Sequence, residues 1–496
     1  MACSKGFLDK TPESSLTSGN FYKTKDQLEQ ALVGAYAKLR STKGVNEYVM
    51  AEMRADNTHF YFNPTCTSGA TGGPEQIDEF TDTPLNPDVN NMWYNLYIGI
   101  SRANSVLGNV SAVDMTKEDA DMISGQAKFL RALFYFDLVR YYGGVPLYLN
   151  PVLGVSDAYL PRSTVANVYN AIVADLQDAV TKLTVPVFPQ DGRATQGSAR
   201  MLLAEVYLTQ KNFSMAENEL RSITQMGYSL LPNYASVFDL TNKNSVESIF
   251  EVQYMQGNQG QQSNFYLMLP STEDISLITG VNGRNGPCNT GFNQPTGEMI
   301  SAYEPNDARL DASVAIAECT SEGTSLKIET IKSPVGYFKP PDKVAYPYIK
   351  KFFHSHNIRY NQDDNFPVYR YSDALLSLAE ALNEQNKSSD ALPYLNQVRL
   401  RAGLPDVTET NQNLLRDIIA HERRVELAFE NHRWFDLLRT GKAMEVMNAN
   451  GEYIKMVHTS EGYLPPSCYQ VTANRLLYAI PYRETAIGNL EQNPGY

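Results

Sequence analysis

A chain of 496 residues with 43% hydrophobic and 20% charged residues can bury a sizeable core, yet no run approaches the roughly 18 apolar residues of a membrane-spanning helix. Forty-two basic against 55 acidic residues leave a formal charge of −13, with no Lys/Arg block or basic-aromatic patch to offset it. That balance repels phosphate backbones and excludes nucleic acid as a partner.

Cys3 follows Met1-Ala2 and precedes an extended polar stretch, Ser4 to Glu13. Ala2-Cys3 matches the small-residue–cysteine junction at which lipoprotein leaders end, which makes Cys3 the candidate lipidation site; an ordinary N-terminal cysteine is the alternative. The other cysteines, at 66, 288, 319 and 468, show no metal-type spacing and read as inert thiols, with their pairing left open.

Helical periodicity dominates the first half. Leu28, Ala31, Leu32, Ala35, Tyr36 and Leu39 form one apolar stripe over 27–40. Asn86 as cap with Pro87 behind it starts a second helix, and a third runs over 117–142 to Gly143-Gly144. Ser163 or Thr164 caps a fourth through Val168, Ile172, Leu176 and Val180. Ser198 to Tyr207, followed by Phe213, Ala216 and Leu220, has a loose counterpart in Leu376 to Leu382, followed by Ala391, Leu395 and Val398. Small residues that let helices approach, with bulky ones between, follow the logic of tetratricopeptide hairpins. Residues 248–254 alternate as a strand, and the next hundred, rich in Gly, Asn, Pro, Ser and Thr, read as a long functional loop region. A last long helix is expected over 411–439, its charges spaced for i, i+3 and i, i+4 pairs, and 476–481 reads as a strand or extended tail.

Motifs spread over nearly the whole chain resemble the SusD/RagB-like family of Bacteroidetes surface lipoproteins. They include Phe7-Leu8-Asp9, Leu28 to Tyr36, Trp93-Tyr94 with Ala103-Asn104, and Arg131-Ala132 with Tyr141 to Leu147. Pro161-Arg162-Ser163-Thr164, Gly192-Arg193-Ala194-Thr195, Glu422 to Leu427, His432 to Leu437 and Gln492 to Tyr496 complete the set. The resemblance implies a mainly α fold, four tetratricopeptide-like helix pairs carrying a loop-rich ligand face and a few short strands. It implies residues 1–20 as a tether and 21–496 as one domain, with the helical scaffold mainly over 21–246 and 367–445 and the variable loops over about 247–366. It also implies an outer-membrane lipid anchor through Cys3, facing the cell surface, and a SusC-like TonB-dependent barrel as partner. Such proteins capture oligosaccharides in many cases and peptides in some, without cofactor or catalysis; a lid subunit with no ligand site of its own is a further alternative.

The residues themselves carry no catalytic motif. His421-Glu422-Arg423-Arg424-Val425 lacks the second His of a zinc helix, and no GxSxG, P-loop or GxGxxG is present. His354-Ser355-His356 reads as a surface loop and Asp363-Asp364-Asn365 as a polar turn, so no metal is expected. The charged helix reads as a set of structural ion pairs rather than a docking surface. Both tryptophans, Trp93 and Trp434, read as core, so any sugar platform must come from the 31 tyrosines and 20 phenylalanines. Loops that pair aromatics with amides or charges supply the ligand-binding candidates: Asp56, Asn57 and Tyr61; Phe265 and Tyr266; Arg284, Asn285, Phe292 and Asn293.

Overall fold

A computed structural model describes residues 21–60, 73–283, 291–322, 325–459, 462 and 464–496. Cys3, Tyr61, Cys66, Arg284, Asn285 and Cys288 lie outside the described residues. α1 (Lys25–Tyr36) opens on a capping box between Thr24 and Gln27 and buries Leu28, Leu32 and Ala35. It ends short of the predicted Arg40, and two widened helical turns, Arg40–Asn46 and Tyr48–Glu52, carry the chain inward to β1 (Thr58–His59). After the short α2 (Pro74–Asp78), the predicted Asn86 cap appears, and Thr116 supplies a cap that was not predicted. Asn86 accepts from the Asp88 and Val89 amides at the start of α3 (Pro87–Asn109), and Thr116 from Asp119 at α4 (Lys117–Tyr142). Of the two expected caps for α5 (Val165–Lys182), Thr164 does the work by accepting from Asn167. α6 (Gln196–Thr209) and α7 (Phe213–Ile223) form a hairpin across a three-residue turn.

The loop region holds more order than its composition suggests. β2 (Ser248–Val252) lies where alternation placed it and pairs antiparallel with β7 (Phe366–Arg370). Between them stand α8 (Ser276–Thr279), β3 (Gln294–Pro295), α9 (Gly297–Ser301) and α10 (Ala308–Ser313). β4 (Val314–Glu322), β5 (Ser325–Lys332) and β6 (Val344–Ile349) then form an antiparallel sheet in the order β5-β4-β6. That sheet owns a second apolar core, built from Ala315, Ala317, Cys319, Ile328, Tyr346 and Tyr348 with Tyr266 and Leu269. The main core runs through the helices and contains Trp93 and Trp434, and Cys319 and Cys468 are buried free thiols.

α11 (Tyr371–Asn383) and α12 (Ser388–Arg401) form the second hairpin, and α11 packs on α7. The single helix expected over 411–439 is two, α13 (Gln412–Glu426) and α14 (Arg433–Thr440), followed by α15 (Ala443–Val457) and α16 (Tyr482–Ala486). Phe429 and Asn431 break it by taking positive φ, 67° and 66°. The break is held by charge. The Phe429 and Asn431 amides donate to the Glu52 carboxylate, while Glu430 accepts from Arg370 and Lys351. Residues 476–481 are an extended tail, with the Ile480 amide and carbonyl both bonded to the Gln492 side chain.

Around this break lies a buried ionic network. Glu426 accepts from Arg401 at 2.5 Å, Arg370 at 3.0 Å and Arg309 at 3.2 Å. Arg309 also reaches Asp307 and Glu422, Arg399 joins Glu422 to Glu304, and Arg370 and Arg401 share Glu247. Burial alone would raise the Glu426 carboxyl, but the three guanidiniums hold it well below the usual carboxylate range. Its contribution to stability is therefore present above the unfolded pKa of about 4.3 and is lost as pH falls toward the depressed folded value. Glu426→Gln should cost about 3–5 kcal/mol in urea unfolding at pH 7, because it strands buried guanidiniums; a loss below about 1 kcal/mol would show that the network is not structural.

Candidate functional site

Three of the stretches singled out from sequence converge. β1 pairs antiparallel with β3, placing Thr58 opposite Pro295 and His59 opposite Gln294. The Phe292 amide donates to the Leu267 carbonyl at 2.9 Å and Gly291 to Leu269 at 3.0 Å, which brings 265–269 against the same seam. Phe60 and Phe292 then face each other with ring centroids 5.7 Å apart.

Within that seam the candidate side chains are enclosed by protein. Asp56 accepts a two-point bond from Arg433, at 2.7 and 2.9 Å, and an ion pair from Arg424. Burial pushes its carboxyl up, but the two guanidiniums outweigh that and hold it low. Asn57 accepts from Arg424 at 3.0 Å and donates to Glu52. Asn293, at φ 53°, accepts from the Thr58 hydroxyl at 3.0 Å and donates to the Tyr48 carbonyl at 2.8 Å. Phe265 is fully buried and stacks on Phe352 at 4.9 Å, and Phe292 is 9% exposed.

Tyr266 is also buried, but it backs an exposed surface. Its hydroxyl lies 2.5 Å from His356 Nε2; His356 Nδ1 faces the His354 carbonyl and must donate there, leaving Nε2 to accept from the tyrosine. The Tyr360 ring packs against Tyr266 at 4.6 Å and is 43% exposed. The Arg359 guanidinium sits 4.6 Å from the centre of the Tyr360 ring, and its Nε is buried without a hydrogen-bond partner among the described residues. Tyr360 adopts φ 58°, a costly conformation for a bulky residue. Its neighbours enforce it. Asn361 makes a reciprocal pair of bonds with the Gly257 backbone, and Gln362 bonds both the Ser263 backbone and the Phe265 amide. Arg359 and Tyr360 escaped the sequence reading; the available signal was an Arg-Tyr pair in a loop just ahead of an amide-rich turn. That turn behaves as a turn, since Asp364 bonds His354, Asp363 caps the Gln256 amide and Asn365 caps Tyr254. No three metal-ligating side chains converge among the described residues.

Two family models match the chain. Residues 235–496, just over half of it, match the SusD family, and residues 6–208 match a family described as starch-binding associating with outer membrane. The chain belongs to the SusD family. A SusD-like protein of Formosa agariphila, P25, is 27% identical over 473 residues, covering 89% of this chain and 88% of the relative. Among solved structures, a laminarin-binding SusD-like protein superposes with a TM-score of 0.74 at 26% identity, over 96% of this chain and all of the other. A SusD-like protein from Bacteroides fragilis, at 22% identity and TM-score 0.76, shares the fold over 98% of this chain. Among the described residues no helix is long and apolar enough to cross a membrane.

In this SusD-family chain the β1 seam also carries two displaced titrations. Burial, with His458 4.9 Å away, pushes His59 down to about 3. Burial raises Asp78 to about 8, although the Phe60 amide and the Tyr469 hydroxyl both donate to it. A carboxyl raised in the fold stabilises fully only below its unfolded pKa of about 3.9, and that stability is lost as pH rises through 8. Asp78→Asn should therefore reduce the alkaline decline between pH 5 and pH 8 by about 1.4 kcal/mol per pH unit, measured as urea midpoints at each pH. A variant slope equal to that of the parent would refute the protonated state.

Proposed function

We propose that this SusD-family chain binds oligosaccharide at the cell surface and passes it to a TonB-dependent outer-membrane barrel, without transforming it. In this reading Cys3 carries the lipid anchor. Asp56, Asn57, Phe265 and Asn293 brace the loops, and the ligand meets Tyr360, Arg359 and His356 beside the Phe60–Phe292 pair; Tyr61, Arg284 and Asn285 are further proposed ligand contacts outside the described residues. The observation that carries the proposal is the Tyr360 ring, held open to solvent in a strained conformation and backed by Tyr266. A flat ring packs on the C–H face of a sugar at low entropic cost, and a guanidinium beside it bonds hydroxyls. The laminarin-binding relative and the starch-binding description of the second family model support a glucan or similar ligand. The Arg359 guanidinium beside the Tyr360 ring favours a second reading, capture of a peptide carboxylate.

Calorimetric titration with laminarihexaose, maltohexaose, xylohexaose and a peptide library tests these readings. Tyr360→Ala should weaken binding of the preferred saccharide at least about tenfold, or 1.4 kcal/mol, with the unfolding midpoint unchanged. Retained affinity would remove Tyr360 from the site, and binding of peptides alone would replace the saccharide reading.

A further inference from the structure

A groove outside the proposed ligand face lies in the helical scaffold. It is a cavity of about 500 Å³ bounded by the α6–α7 turn and by α11, α13, α14 and the start of α15. A second cavity of about 350 Å³ adjoins this trough and shares Lys211 and Arg439 with it. Clefts between helices and volumes of roughly 300–1,000 Å³ are typical of small-ligand sites.

The chemistry of its walls selects among ligands. Arg416 is paired with Glu384 at 2.5 and 2.9 Å, and Arg439 with Glu380 and Asp436. Arg423 is paired with Asp373 and Asp436, and Arg433 with Asp56. Every one of these guanidiniums is already neutralised, so a charged ligand would reach one of them only by displacing its acidic partner. A hydroxyl both donates and accepts, and it fits beside such a pair without disturbing the balance. Ile419 and Leu437 give the trough an apolar floor, and half-buried Phe213 lines it with an aromatic ring. His421 and Lys211 line the same space and make no side-chain hydrogen bond or ion pair among the described residues. Lys211 is fixed by the tight α6–α7 turn, where it takes φ 57° and its amide bonds the Leu208 carbonyl.

We infer that this trough is a second saccharide site, taking a short, hydroxyl-rich ligand that bonds His421 and Lys211 and packs on Phe213. The inference rests on the reading that the protein binds saccharide, but not on the residues assigned to the loop face. Calorimetry on the full chain with laminarihexaose, maltohexaose and xylohexaose should give two sites per chain for the preferred probe. His421→Ala/Lys211→Gln and, separately, Phe213→Ala should each weaken one site at least tenfold and leave the other intact. Tyr360→Ala should do the converse. Loss of all binding in Tyr360→Ala with parental isotherms in the groove variants overturns the trough and leaves the loop face standing. Loss only in the groove variants supports the trough and removes the loop face. A parental chain that binds none of the three probes overturns both.

Discussion

Glu426 sits where the helical scaffold and the loop region meet, and it accepts from three arginines that come from different places in the chain. Arg309 belongs to the loop region, Arg370 to the end of β7 and Arg401 to the end of α12. Each charge would be costly to bury alone, so the arrangement is stable only when every member is present and aligned. Apolar packing is tolerant of small shifts, whereas this network is not. It therefore fixes the angle and register at which α10, β7, α12 and α13 come together. Lys351, at the end of the small sheet, enters through Glu430 and the Ala428 carbonyl, which ties the second core to the same point.

The proposed ligand face inherits its geometry from that junction. The break between α13 and α14 presents the Phe429 and Asn431 amides to Glu52, which follows α1 and precedes β1. One turn back, Arg424 reaches Asp56 and Asn57, and Arg433 at the start of α14 closes on Asp56 from the other side. β1 thus hangs from the C-terminal helices by charge, and β3 hangs from β1 by its ladder. This chain of dependence explains why amide and acidic residues in these loops are so thoroughly enclosed. They hold backbone in place, as polar groups in loops without regular structure must.

Much of the scaffold was legible because its signals are local. The caps at Asn86 and Thr164, the stop at Gly143 and the spacing of Leu28, Leu32 and Ala35 depend only on neighbours within a turn or two. The motifs that resembled the SusD family led to the same fold, and the family match bears that resemblance out. The α13–α14 break was not legible, since nothing near Phe429 and Asn431 demands positive φ; distant Glu52, Arg370 and Lys351 do. The β4–β6 sheet was obscured by surrounding Gly and Pro, although Ala315, Ala317 and Cys319 alternate as a strand should. The candidate stretches at 56–57, 265–266 and 292–293 are brought together, but composition could not tell a bracing side chain from a presented one. Arg359 and Tyr360 carried no family motif and no periodicity, and only the pinned backbone around them sets them apart.

Adjacent residues Phe265 and Tyr266 belong to different cores, the first to the helical core and the second to the core of the small sheet. Phe353 packs against both. The Tyr360 ring leans on Tyr266, so the exposed platform is referenced to the small sheet, while the Phe60–Phe292 rim is referenced to the helical core. Closely packed cores move as units and deform little internally. The two cores are not free to shift against each other, because Lys351 at the end of the small sheet is bonded to Glu430 and to the Ala428 carbonyl, so the distance between platform and rim is set through the ion network. The proposed binding face across this seam thus takes its width from the same ion network that orients the scaffold.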